Sequence, residues 1–146
     1  MELDDRRIDR RHPSAAGQRV IRVFAVDDQI PFLRAAAAVI KVTDGFQLVG
    51  CATSGRSALD RLSVVGGDVD IVLLDIQLGE MDGVTVARQL HQQWPELAIV
   101  YLSMLDEDDV PGDPHESGAV AFVPKPTFGP SALEALLPTI ERRRLT

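Results

Sequence analysis

Cysteine is almost absent from this 146-residue chain: Cys51 is the only one, so no disulfide can form within it. The fold must therefore be held by an apolar core. The 45% hydrophobic content is enough for one globular domain, and a second of ordinary size has no room. Cys51 lies in an apolar stretch, Leu48-Val49-Gly50-Cys51-Ala52, and reads as a buried structural thiol rather than a reactive one. Positive charge is scarce as well. With 15 Lys and Arg against 22 Asp and Glu, the formal charge is -7, and no basic face is concentrated in the body of the chain. Direct nucleic-acid binding, which needs such a face to neutralise phosphates, is not expected. Long hydrophobic runs are missing too: none approaches the roughly 18 apolar residues that span a bilayer, and Met1 to Gln18 lacks the apolar centre of a signal peptide. A cytoplasmic location without membrane contact is the resulting expectation.

Residues 1–18 mix Asp4, Asp5 and Asp9 with Arg6, Arg7, Arg10 and Arg11 and hold little to bury, which predicts a mobile N-terminal arm. A docking role for those arginines is the competing reading. From residue 19 to 142 the chain alternates strand-like and helix-like segments without internal repeats, the pattern of an α/β domain with a parallel sheet; residues 143–146 are a short tail. Strands are expected at about 21–26, 46–52, 70–74, 97–102 and 119–123. Helices are expected after Pro31, after Ser54, from about Gly83, and from Pro130 or Ser131, with Pro138 kinking or ending the last.

Two of the apolar runs end in carboxylates. Val23-Phe24-Ala25-Val26 leads into Asp27-Asp28, and Ile71-Val72-Leu73-Leu74 leads into Asp75. Runs this short and this apolar read as strands buried on both faces, so three carboxylates arrive at one sheet edge. Their mutual repulsion needs a cation, a proton or nearby positive groups. Ser103 after the fourth strand and Lys125 after the fifth reach the same edge, where ligand sites of open parallel sheets form. Carboxylates with backbone oxygen and water suit a hard octahedral cation such as Mg2+, and a lysine with a hydroxyl suits the peripheral oxygens of a phosphoryl group. His12, His91 and His115 show no metal-ligand spacing.

Val26-Asp27-Asp28, the segment from Leu74-Asp75 to Asp82-Gly83, Ser103, and Phe122-Val123-Pro124-Lys125-Pro126 resemble, as an ordered set over about residues 20–142, the receiver domain of two-component response regulators, the CheY-like family. Ile99-Val100-Tyr101-Leu102-Ser103-Met104 looks closest to its NarL/FixJ-like branch. The resemblance implies a doubly wound five-stranded parallel sheet of flavodoxin-like order 2-1-3-4-5. It implies that Asp75 is the phosphoacceptor, attacking a phosphohistidine of a sensor histidine kinase or histidine phosphotransfer protein. Asp27, Asp28, Asp75 and the backbone carbonyl of Gln77 would hold magnesium, while Ser103 and Lys125 would bind phosphoryl oxygens. Phe122 would be the aromatic switch following Ser103, and a homodimer is among the family's assemblies. A phosphorelay module of this kind catalyses only its own phosphorylation and dephosphorylation, and it switches conformation to regulate an output such as transcription.

Plainer readings stand beside these. Asp28 would serve as a cap of the first helix, Asp70 and Asp82 as turn residues, and Phe122 as core. Gly79 stands where the family commonly has proline, which frees the loop after Asp75. Between Ser103 and Gly118, Pro111, Gly112 and Pro114 forbid a regular fourth helix, and a loop or at most one helical turn is expected there. These departures motivate an alternative, a degenerate receiver acting as a phosphorylation-independent interaction module. An aspartyl-phosphate hydrolase of the haloacid dehalogenase type is disfavoured, because Gln77 replaces its second aspartate and no cap domain is visible. The ending Arg142-Arg143-Arg144-Leu145-Thr146 fits either a free-standing receiver or one that precedes an output domain.

Overall fold

The structure, a computed structural model, describes residues 20–110 and 112–145. The N-terminal arm and Pro111 lie outside them. Five parallel strands, β1 (Ile21–Val26), β2 (Phe46–Ala52), β3 (Ile71–Asp75), β4 (Ala98–Ser103) and β5 (Ala121–Pro124), form one sheet in the order β2-β1-β3-β4-β5. This is the flavodoxin-like order expected. Strands three to five begin one or two residues later than their apolar patterns suggest, so Asp75 and Ser103 are the last residues of their strands rather than the first beyond them.

Alternation along the strands divides the core in two, because successive side chains of a strand point to opposite faces. Phe24, Val26, Val72, Leu74, Ile99 and Tyr101 face α2 (Gly55–Val65) and α3 (Gly83–Gln93), meeting Ala58, Leu62, Val86 and Leu90. Val23, Ile71, Leu73, Val100 and Leu102 face the other way, toward Ile40 of α1 (Ile30–Val42) and toward Leu133, Leu136 and Ile140. Every residue of β3 and β4 is buried, as central strands covered by helices on both faces require. Cys51 departs from expectation: on the edge strand β2 it is only partly buried.

The helix ends follow local chemistry. Ser54 Oγ accepts from the Ser57 amide at 3.1 Å, and Asp82 Oδ1 accepts from the Thr85 amide at 2.8 Å, two N-caps. The final helix is broken at Leu136 into α4 (Pro130–Ala135) and α5 (Leu137–Leu145), with Pro138 in the first turn of the second piece, where its missing donor is harmless. Among the described residues between β4 and β5 there is no regular helix. Two separate 3₁₀ turns, Glu107–Asp109 and Pro114–Ser117, take its place, and Pro114 opens the second.

Candidate phosphoryl-transfer site

From β1 the chain moves to β2 on one side and then to β3 on the other, so the strand order reverses between β1 and β3. The carboxyl ends of those two strands deliver Asp27, Asp28 and Asp75, each of which offers an oxygen within 4.8 Å of the others'. Asp27 and Asp75 are 1% and 3% exposed, whereas Asp28 faces solvent. Asp28 is not the cap of α1: that position is Gln29, which makes no side-chain cap bond. Asp27 Oδ1 accepts from the Gln29 amide at 2.8 Å, and Asp75 Oδ1 accepts from the Gln77 amide at 3.0 Å. Two matching turns thus fix one oxygen of each buried carboxylate and aim the other inward.

Lys125 occupies the space between those inward oxygens. Its Nζ donates to Asp75 Oδ2 at 3.2 Å and lies 2.6 Å from Asp27 Oδ2, an ion pair whose angles are poor for a hydrogen bond. Its side chain is 8% exposed. Burial raises the Asp75 carboxyl above the ordinary carboxylate value; the Gln77 amide and Lys125 oppose this, and the charge of Asp27 reinforces it. For Lys125, burial alone would lower the ammonium, but the Asp27 and Asp75 carboxylates outweigh it and hold the group above its ordinary value. The ammonium is therefore the cluster's built-in counter-charge.

In front of these groups lies an open cleft of about 480 Å³ lined by Asp28, Gln29, Pro31, Phe32, Asp75, Gln77, Met104 and Lys125. Ser103 is buried at the end of β4, and its Oγ accepts from the Leu105 amide at 3.0 Å, so the hydroxyl is turned to its own loop. Met104, and not Ser103, forms that wall of the cleft. Phe122 is half-buried on β5 and packs against the cluster shared with α2 and α3. Asp70 does structural work, with Oδ2 accepting from the Arg22 amide at 2.8 Å and its Nε at 3.3 Å. Neither His91 nor His115 joins the site; His115 pairs with Glu107, and the His91 ring lies against Gly118.

Two contributors were not read from the sequence as parts of the site. A Cβ on Gly83 would stand 2.4 Å from the Asp75 carbonyl oxygen, so only glycine lets the start of α3 close over the strand end that carries Asp75. Phe32, an apolar residue in the first turn of α1, places its ring 4.6 Å from Lys125 Nζ. Gly79, by contrast, has φ of 79° with open space around it, so its loop departs from proline without crowding the cleft.

The model of the response regulator receiver domain matches residues 23–137. Chemotaxis protein CheY of Bacillus subtilis is 30% identical over 119 residues, covering 82% of this chain and 97% of its own. A protein-glutamate methylesterase/protein-glutamine glutaminase of Pseudomonas fluorescens is 32% identical over 106 residues, 72% of this chain. The chain spans 28% of the length of that relative. Among solved structures, the signal receiver domain of the response regulator NarL from Mycobacterium tuberculosis superposes with a TM-score of 0.73 at 25% identity, covering 84% of this chain and 98% of its own. CheY in the CheX-CheY-BeF3-Mg2+ complex from Borrelia burgdorferi gives 0.74 at 24%, covering 82% and 88%. The matched span runs from β1 through β5 and contains every residue of the carboxylate–lysine cluster, and the chain belongs to the receiver domain family of two-component response regulators.

Proposed function

We propose that this receiver accepts a phosphoryl group on Asp75 from a phosphohistidine of a sensor histidine kinase or histidine phosphotransfer protein, and that the acyl phosphate switches its conformation. The observation that carries this reading is the buried Asp75 carboxylate, paired with Lys125 and opening into a cleft beside Asp27 and Asp28. In the transfer, an Asp75 oxygen bonds to phosphorus as the phosphorus–nitrogen bond breaks, and the imidazole nitrogen leaves with the electron pair. Phosphoryl transfer asks the protein for alignment and charge neutralisation more than for covalent chemistry. The Gln77 amide orients the Asp75 carboxylate, and Lys125 supplies positive charge next to the oxygen that accepts.

The donor set fits a hard cation: three carboxylates of graded exposure, with Gln77 lining the same cleft. Asp27, Asp28, Asp75 and the Gln77 carbonyl would hold Mg2+, which when bound supplies the charge that offsets the clustered carboxylates and a phosphoryl oxygen. Ser103 Oγ accepts from the Leu105 amide and keeps its own proton, so a change of side-chain rotamer would release that amide and turn the hydroxyl to donate to a phosphoryl oxygen. Charge added at Asp75 draws such groups inward, and Phe122, which packs against the neighbouring cluster, would follow. The irregular 104–118 segment, one motive for an interaction-module reading, leaves the carboxylate–lysine cluster intact. Among the described residues no helix is long and apolar enough to cross a membrane, and a cytoplasmic location agrees with this reading. Incubation with phosphoramidate and Mg2+ tests it: stoichiometric, acid-stable and base-labile label on Asp75 is expected, and catalytic turnover or no label would overturn it.

A further inference from the structure

We infer that Phe32 is a positioning residue for Lys125, holding the ammonium in the cleft by its aromatic face as well as filling the space between α1 and the sheet. This rests on the reading of Asp75 as acceptor and Lys125 as its cation. The ammonium is 4.6 Å from the ring centroid, within the roughly 6 Å over which the negative face of an aromatic attracts a cation. With the lysine side chain 8% exposed, little water screens that attraction.

The same ring reaches the other end of the turn that begins with Lys125. Phe32 and Phe128 are 6.1 Å apart between centroids and tilted by 50°, a favourable offset arrangement. The Phe128 amide in turn donates to the Lys125 carbonyl at 3.1 Å, closing the turn Lys125–Thr127. One side chain of α1 thus grips both ends of the turn that carries the cation, and α1 follows directly from Asp27 and Asp28. The ion pairs alone leave a four-carbon stem with several rotamers that satisfy one carboxylate or the other. The ring selects those that keep Nζ between Asp27 and Asp75. Leucine at position 32 would fill much of the volume but offer the ammonium no negative face, whereas tyrosine would offer one.

Phosphoramidate labelling of Asp75 with Mg2+, and proton NMR of the Lys125 ε-methylene, test this in Phe32→Leu and Phe32→Tyr. The expected results are labelling slowed about fivefold in Phe32→Leu and within about twofold of the parent in Phe32→Tyr, the size a desolvated cation–π contact supports. The ε-methylene protons of the parent and Phe32→Tyr should carry an upfield ring-current shift that Phe32→Leu loses. If Phe32→Leu fails to fold, Phe32→Met replaces it. Equal slowing in the Leu and Tyr variants, or no ring-current shift in the parent, would overturn the inference by leaving Phe32 a packing role only. If the parent takes no label at all, the acceptor reading fails instead, and the ring-current comparison alone then decides the Phe32–Lys125 contact.

Discussion

Lys125 stands nearer to Asp27 than to Asp75: its Nζ is 2.6 Å from Asp27 Oδ2 and 3.2 Å from Asp75 Oδ2. The counter-charge for the acceptor is therefore shared, and the lysine holds apart two buried carboxylates that would otherwise repel. Lys125→Met leaves them uncompensated. Breaking a buried ion network of this kind destabilises by about 3 kcal/mol. The variant should melt well below the parent without divalent ions and recover a larger part of the difference in millimolar Mg2+ than the parent gains. An equal Mg2+ response in both proteins would show that Lys125 does not neutralise the cluster. The parent's contribution from Lys125, whose ammonium is held above 10.5, is fully present at neutral pH and fades only as pH rises beyond that value.

Asp75→Asn should abolish labelling, because an amide is no carboxylate nucleophile, and should raise the melting temperature without Mg2+. The pH dependence fixes the cause. A carboxyl raised above 3.8 in the fold favours folding below that value, and the advantage is lost as pH rises through the folded-state value. At neutral pH the parent therefore carries the full penalty of an ionised, buried Asp75, and the Asn variant escapes it. The gain should vanish near pH 3. A stability difference independent of pH would assign the effect to packing.

How much of this was legible beforehand divides along physical lines. Asp27, Asp28, Asp75 and Lys125 were legible because a short strand fixes where its last residue emerges, and parallel strands deliver those ends to one edge. The direction of the Ser103 hydroxyl was not, since it depends on a bond to the Leu105 amide in a loop without periodicity. Phe32 sat in plain view as an apolar helix residue, but its meeting with Lys125 depends on how α1 rotates against the β5 turn, which sequence spacing does not encode. Cys51 misled because an apolar neighbourhood in sequence was read as burial, whereas β2 is an edge strand.

Gly83→Ala should damage the site from outside it. The added Cβ meets backbone, the Asp75 carbonyl oxygen at 2.4 Å and the Ile76 Cα at 2.7 Å, so either the start of α3 or the end of β3 must shift. Overpacking against backbone destabilises by about 1–3 kcal/mol. Because the displaced atoms belong to the acceptor residue, labelling should slow more than the lost stability explains at a temperature where the variant is fully folded. Normal labelling in a destabilised variant would place the strain on α3 alone.

The segment that replaces a fourth helix should respond to phosphorylation in two unequal parts. Its C-terminal part is pinned: the Tyr101 hydroxyl, buried in β4, bonds Ser117 Oγ, which donates to the Pro114 carbonyl at 2.6 Å, and Gly118 packs on the His91 ring. Burial raises the Tyr101 hydroxyl above its ordinary value, so it remains a neutral donor at physiological pH. The N-terminal part is held less deeply, by the Leu105 amide on Ser103 Oγ, the exposed Glu107–His115 pair and the packing of Val110, and Asp106, Asp108 and Asp109 are exposed. If the Ser103 hydroxyl turns to a phosphoryl oxygen, Leu105 loses that acceptor, and the residues after it are the easiest to rearrange. Amide exchange with and without beryllofluoride should therefore change at Leu105 through Val110 and little at His115 through Gly118. Ser117→Ala, which strands the Tyr101 hydroxyl in the core at about 1–3 kcal/mol, should extend the response into the second part. A uniform change across both parts of the unmodified chain would show that Tyr101 and His91 do not anchor the segment.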